Sequence, residues 1–205
     1  MINAKEFYRR FVEATREDNI APDGRTYLEV YKVDADYTKL VNGPIISDLI
    51  KGIDPRMEVQ HEYFRIDSVG WISHYEEMKE EAQKAGLKVN AHLWDLKVAV
   101  EHENSKADWS DEVMKLIHVK CPLKVIIGYS YSDERDDVEL RKLDFVAEWM
   151  QKIDALQKGT DEEYLVILGN GCNRKTGESD YDRFDYRGYL YSFDTKRFER
   201  IVPEA

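Results

Sequence analysis

Apolar residues recur at helical spacing in several segments of the chain. In the first of them, Phe7, Phe11 and Ala14 follow the i, i+4, i+7 pattern of a helix that buries one face. Further along, Gly43 and Pro44 interrupt a similar pattern and separate two short helices. The spacing predicts helices over about residues 4–16, 36–52 (in two parts), 73–86, 108–119 and 134–157.

Other segments have the composition of β-strands. Residues 25–33 alternate and are rich in aromatic and β-branched side chains, which favours an extended conformation. Residues 93–104, 123–129 and 164–168 are centred on apolar runs, which are typical of strands buried on both faces. The aromatic segment 186–193 is expected at an edge of the sheet. The predicted strands cover about residues 25–33, 58–71, 93–104, 123–129, 164–168 and 186–193.

The order of these segments predicts the fold class. From residue 87 onward strands and helices alternate, which indicates a mixed β-sheet with helices on both faces. The chain has 205 residues, the size of one domain, and no repeat or linker divides it. We therefore expect an α/β protein with a single domain, residues 1–205, built on a mixed central β-sheet flanked by helices.

Cysteine content and hydropathy restrict the cellular compartment. The two cysteines, Cys121 and Cys172, are too few for a disulfide framework and are typical of reduced thiols. Cys121 begins a predicted strand, where a small buried thiol is expected. The N-terminal residues are polar, and no segment approaches the ~18 apolar residues of a membrane span. These features predict a cytoplasmic protein that does not contact membranes.

The charge balance limits the kinds of partner. Thirty Lys and Arg residues against 41 Asp and Glu residues give a net charge of −11. Proteins that coat nucleic acid rely on a basic surface, so this charge argues against that class. An enzyme that contacts DNA or RNA through one local basic strip is still compatible with it. The C-terminal region contains such a strip, made of Arg183, Arg187, Lys196, Arg197 and Arg200.

The strongest candidate for chemistry is the sequence Glu101-His102-Glu103, where the apolar run of a buried strand ends. Side chains two residues apart on a strand share a face, so Glu101 and Glu103 are expected on one face and His102 on the other. Two adjacent carboxylates repel each other unless a cation lies between them, and a divalent metal ion takes such oxygen ligands. The alternative is that both acids are solvated or paired with Lys or Arg where the strand reaches the surface.

The surroundings of this motif resemble a known superfamily. Upstream, Asp67 lies late in an extended segment; downstream, the chain continues into a helix and then the strand that begins at Leu123. The order of helix, strands, an acid, an apolar strand ending in E-x-(K or E), helix and strand resembles the PD-(D/E)xK nuclease superfamily, which has the restriction-endonuclease-like fold. The resemblance covers about residues 57–130, and residues 134–200 would complete the sheet. Glu103 stands where typical members carry Lys.

The resemblance implies a catalytic set of Asp67, Glu101 and Glu103. Asp67 and Glu101 would be ligands of Mg²⁺ or Mn²⁺, and Glu103 would orient or deprotonate the attacking water. The implied chemistry is metal-assisted hydrolysis of phosphodiester bonds in DNA or RNA. The family often adds an acid from the first helix, for which Glu6 and Glu13 are the candidates. Loss of the motif Lys leaves open a member that has lost catalysis.

A second acidic motif competes with this one on the same strand. Asp95-Leu96-Lys97 is a literal D-x-K, but six residues of strand span roughly 20 Å, so Asp95 and Glu101 cannot share a metal ion. Asp95 precedes the apolar run, whereas Glu101 follows it, and we therefore prefer Glu101.

A different class of function also fits the sequence. In a non-enzymatic interaction protein of the immunity or anti-restriction type, the acidic surface itself would recognise a basic protein partner. Glu101 and Glu103 would then be ordinary members of a negative face.

Overall fold

The computed structural model describes residues 2–89, 93–104, 109–131, 135–157, 161–171, 175–176 and 185–202. Its helices are α1 (Ala4–Ala14), α2 (Tyr27–Tyr31), α3 (Asp34–Leu40), α4 (Ile46–Ile53), α5 (Tyr75–Lys84), α6 (Trp109–Ile117), α7 (Arg135–Met150) and α8 (Asp154–Gln157). Its strands are β1 (Glu58–Tyr63), β2 (Ile66–Ser73), β3 (Trp94–His102), β4 (Leu123–Ser130), β5 (Glu163–Asn170), β6 (Tyr186–Ser192) and β7 (Arg197–Ile201).

The seven strands form one sheet in which each strand pairs with its neighbours in the sequence. Strands β3, β4 and β5 are parallel, and the strands on either side of them are antiparallel. Helix α6 connects β3 to β4, and α7 and α8 connect β4 to β5. The predicted α/β class, with a mixed central sheet flanked by helices, is confirmed.

Two hydrophobic cores lie on opposite faces of the sheet. Helices α1 to α4 cover one face, and α6 to α8 cover the other. Strand β3 alternates between them, because Val98 and Val100 enter the first core and Ala99 enters the second. None of the helices in the described part of the chain combines the length and apolar character that crossing a bilayer requires.

The predicted strand at residues 25–33 is wrong, because this segment contains helix α2. Thr26 and Glu29 form a reciprocal capping box: the Thr26 side chain accepts from the Glu29 amide, and the Glu29 carboxylate accepts from the Thr26 amide. Tyr27, Val30 and Tyr31 then fall on one helical face and pack into the first core. The same apolar residues are therefore compatible with a strand or with a short helix, and the capping box favours the helix.

Other boundaries differ for equally local reasons. Gly43 and Pro44 do not separate two helices, because a π-helical turn (Val41–Ile45) joins α3 directly to α4. Proline has no amide hydrogen to donate, and the wider π-helical turn tolerates the absence of that hydrogen bond. The extended segment 58–71 is a hairpin, formed by β1 and β2. Strand β6 is not at the edge, because β7 pairs with it.

Close packing holds α6 against β4, and a substitution at Gly128 tests this contact. A Cβ at Gly128 would lie 2.7 Å from Trp109 Cβ, so α6 would have to move away from the strand. We expect Gly128→Ala to lower the free energy of unfolding by about 1–3 kcal/mol in urea titrations. Gly43→Ala is the matched control, since its Cβ would meet nothing within 4 Å. Equal effects of the two variants would contradict the close contact.

Candidate functional site

The structure brings Asp67 and Glu101 together on neighbouring strands. Asp67 is near the start of β2 and Glu101 is near the end of β3, and these strands are antiparallel. Because Ser68 pairs with Val100, the register places Asp67 directly opposite Glu101. Both acids are on the face of the sheet that α6 covers, since each is two residues from a member of that core. The two predicted metal ligands are thus adjacent in space.

Helix α6 adds a cation that the sequence interpretation did not assign to the site. Lys115 Nζ is 2.7 Å from Glu101 Oε1, forms a second ion pair with Glu112, and donates to the carbonyl oxygen of Arg65 at 3.1 Å. The spacing of Glu112 and Lys115 puts both on the side of α6 that faces Glu101. A lysine on the helix after the acidic strand was the available signal.

Burial controls the electrostatics of the acid pair. The Glu101 side chain is only 3% exposed, and burial raises the pKa of its carboxyl to about 8; the ion pair with Lys115 opposes this rise and the charge of Asp67 adds to it. Burial also raises the pKa of Asp67, although its Oδ2 accepts a hydrogen bond from the His102 amide at 2.8 Å. The negative charge of Glu62, an exposed residue of β1, raises the pKa of Asp67 further.

Negative charge is in excess around Lys115. Burial alone would lower the pKa of its ammonium group, but the pairs with Glu101 and Glu112 outweigh burial, and the pKa is raised. Glu101 Oε1 and Glu112 Oε2 are both buried, and both lie against the Lys115 ammonium. One ammonium therefore lies near three carboxyl groups, those of Asp67, Glu101 and Glu112.

The donor set fits Mg²⁺ better than a structural metal. Mg²⁺ is commonly held by one or two carboxylates, with water and phosphate oxygens completing its coordination. Asp67 and Glu101 supply such a pair. Within the described residues, no group of three or more His, Cys, Asp or Glu side chains is arranged to enclose a metal ion.

The third predicted member, Glu103, follows the end of β3. Its amide donates to the carbonyl oxygen of Ile127 at 2.8 Å, which ties this position to β4, and its side chain is partly exposed. Its assignment to the attacking water stays a prediction. Lys115, which contacts Glu101, lies on α6. It does not occupy the motif position of the usual Lys, where this chain has Glu103.

His102 points to the opposite face, as its position between the two glutamates predicts. Its Nδ1 is 2.9 Å from Asn42 Oδ1, and its Nε2 is 2.8 Å from the Tyr129 hydroxyl. Asn42 Oδ1 can only accept, so Nδ1 carries the proton and Tyr129 donates to Nε2. Complete burial lowers the pKa of His102 to about 3. This neutral ring anchors the end of β3 beneath the acid pair.

The competing motif lies at the other end of β3. The Asp95 carboxylate is 57% exposed and pairs with His74 at 3.1 Å and with Lys97 at 3.3 Å. These contacts form a surface ion-pair group. The geometry favours Glu101 over Asp95 as the position for chemistry.

The acids of the first helix are not part of the site. Glu6 pairs with Arg9 at 2.9 Å and with Arg10 at 2.5 Å, and Glu13 pairs with Arg9 at 2.5 Å. Helix α1 packs on the face of the sheet opposite to Glu101, against β5 and β6. Neither of the two first-helix candidates therefore lies beside Asp67 and Glu101.

The C-terminal basic strip also differs from the prediction. Arg187 is buried and paired with Glu139, so it does not present a cation to a phosphate. Lys196, Arg197 and Arg200 are exposed at β7, whereas the acid pair is at β2 and β3. Four strand spacings, roughly 19 Å, separate β7 from β3. Arg183 lies outside the described residues.

Comparisons with known proteins do not assign the chain to a family. No protein-family model matches it, and neither the curated proteins nor the solved structures contain a significant match.

Proposed function

We propose that this protein is a metal-dependent nuclease of the PD-(D/E)xK type, with a restriction-endonuclease-like fold. The observation that supports this most is the pairing of Asp67 with Glu101 on adjacent antiparallel strands, in a buried cluster with more carboxylates than cations. The order of elements around the pair, with a helix and a parallel strand following the acidic strand, agrees with the resemblance.

The residues have separable roles in the proposed reaction. Asp67 and Glu101 would hold Mg²⁺ or Mn²⁺, and a bound ion of this kind polarises a phosphate and activates water. Lys115 has a raised pKa and stays protonated at neutral pH, so it suits a phosphate oxygen better than it suits proton removal. Glu103 is the proposed residue that orients or deprotonates the attacking water.

Metal binding tests the site directly. We expect the wild-type protein to bind Mn²⁺ in a calorimetric titration and to cleave single- or double-stranded substrates in its presence. Glu101→Gln should lose both properties, because a neutral amide replaces one of two anionic ligands. Asp95→Asn is the matched control, an acid on the same strand that lies outside the cluster, and should retain both. If wild type and Glu101→Gln bind Mn²⁺ alike, the site is wrong.

The rival interpretation, an acidic surface that recognises a basic protein, has less support. It requires Glu101 to belong to an exposed negative face, but this side chain is 3% exposed. Binding of Mn²⁺ without hydrolysis of any nucleic acid would instead indicate a member that has lost catalysis.

A cytoplasmic location is part of the proposal and is supported by Cys121, which is a buried free thiol.

A further inference from the structure

The turn between β1 and β2 consists of two residues with unfavourable, left-handed backbone angles. Tyr63 pairs with Ile66, so Phe64 and Arg65 alone form the turn. Their φ angles are 48° and 63°, the left-handed values that a type I′ turn requires at both central positions. Asn-Gly is strongly preferred there, because side chains with a bulky Cβ substituent are strained at positive φ. The turn therefore carries strain that a more ordinary sequence would avoid.

Neither side chain offsets this strain by being buried in the fold. Phe64 is 82% exposed, which makes it a large apolar side chain in water, and Arg65 is exposed beside it. Backbone strain that packing does not explain is concentrated at binding sites in proteins. The combination points to a ligand that contacts both side chains.

Phe64 is the outermost member of an aromatic cluster on the α6 side of the sheet. The Phe64 and Tyr63 rings are 4.6 Å apart, the Tyr63 and Trp94 rings 5.1 Å, and the Trp94 and Trp71 rings 4.9 Å. Trp71 is buried at the base of the cluster, while Trp94 remains 38% exposed. The cluster thus fixes Phe64 on a rigid support and offers aromatic surface to solvent.

The turn is joined to the proposed nuclease site. The Arg65 carbonyl oxygen accepts a hydrogen bond from Lys115 Nζ, the same ammonium that contacts Glu101. Asp67 follows two residues later on the same hairpin. A nucleic-acid strand bound at Phe64 and Arg65 would therefore have a neighbouring phosphate near the acid pair.

We propose that the Phe64–Arg65 turn binds single-stranded nucleic acid, with an unpaired base stacked on Phe64 and the adjoining phosphate at Arg65. Aromatic rings stack on exposed base faces, and these faces are hidden within a duplex. The chain has a net charge of −11, and the Arg65 guanidinium provides a local positive charge for a phosphate. This inference rests on the proposed function and extends it to substrates with unpaired bases.

Oligonucleotide binding tests the turn separately from hydrolysis. The parent for these measurements is Glu101→Gln, so that no probe is cut, and the probes are a labelled oligothymidylate and a duplex of equal length. Phe64→Ala and Arg65→Ala should each weaken binding of the single strand by about tenfold, with less change for the duplex. Phe145→Ala, which removes another exposed ring on α7, should leave binding unchanged.

A double substitution separates binding from folding. Phe64→Asn with Arg65→Gly installs the preferred type I′ residues, so the melting temperature should rise while single-strand affinity falls. The proposal is overturned if this variant binds as tightly as its parent, or if the parent does not bind the single strand. It is also overturned if the parent prefers the duplex. Failure of Mn²⁺ binding with intact Phe64-dependent binding would reject the nuclease function but not the turn site.

Discussion

Replacing Arg187 by leucine is expected to lower the free energy of unfolding by about 3–5 kcal/mol. Arg187 Nε and Nη2 donate to the two carboxylate oxygens of Glu139 at 2.9 and 2.8 Å. Their side chains are only 4% and 2% exposed, so leucine would leave a buried carboxylate without its cation. Urea unfolding at neutral pH measures the loss.

Arg141 provides the control for this prediction. It forms an ion pair with Asp137 at 3.3 Å on the same helix as Glu139, but both side chains are exposed. Arg141→Leu should therefore change the free energy of unfolding by less than about 0.5 kcal/mol. Similar losses in the two arginine variants would show that the Arg187 pair is not buried as described.

The Arg187 pair also predicts how stability responds to acid. Burial raises the pKa of Glu139, but hydrogen bonds from Arg187, Ser130 and Tyr189 outweigh burial, so its pKa is lowered from the ordinary 4.5. A lowered pKa stabilises the fold above pH 4.5, and this stabilisation disappears as the pH falls through the folded-state pKa. Arg187→Leu should consequently lose less stability on acidification than the wild type.

Glu101→Gln is expected to make the metal-free protein more stable at alkaline pH. Burial raises the pKa of Glu101 from the ordinary 4.5 to about 8, so the folded protein resists losing this proton. The associated stability is complete below pH 4.5 and is lost as the pH rises to about 8. Glutamine has no proton to lose, and the gain at pH 9 should be on the order of a few kcal/mol.

Urea unfolding in the presence of a chelator, at pH 4 and at pH 9, checks this result. The two proteins should differ little at pH 4, because Glu101 is then protonated in both folded and unfolded chains. Asp95→Asn is the control: His74 and Lys97 lower the pKa of Asp95, so its removal should bring no gain at pH 9. No gain from Glu101→Gln would mean that the carboxylate is better compensated than its contacts indicate. A gain would identify Glu101 as an acid that destabilises the fold, as is typical of functional sites.

Part of the candidate site could be predicted from the sequence. Glu101 stands where an apolar run ends, and an acid there is expected near the end of a strand. Asp67 was expected late in an extended segment and entered the site through the resemblance, whereas the structure places it near the start of β2. Lys115 could not be assigned with the same reasoning, because its contact with Glu101 depends on how α6 crosses the sheet. Arg187 illustrates the same limit, since its sequence neighbours suggested an exposed basic strip while the fold buries it against Glu139.

Strand and helix identity followed the local pattern except where local chemistry was ambiguous. The buried strands β3, β4 and β5 are recognisable because short runs of apolar residues are typical of strands that are covered on both faces. The segment that forms helix α2 is ambiguous in sequence, because Tyr27, Val30 and Tyr31 suit either a strand or a helical face, and the Thr26 capping box decides the outcome.

What the sequence determined by itself is the α/β class, the central strands and the acid at the end of β3, because buried segments have a recognisable pattern of apolar residues. The tertiary structure alone decided the register that sets Asp67 opposite Glu101, the approach of Lys115, and the exposure of Phe64 in a left-handed turn. These features depend on packing between segments that are distant in the chain, and no local periodicity reports that packing.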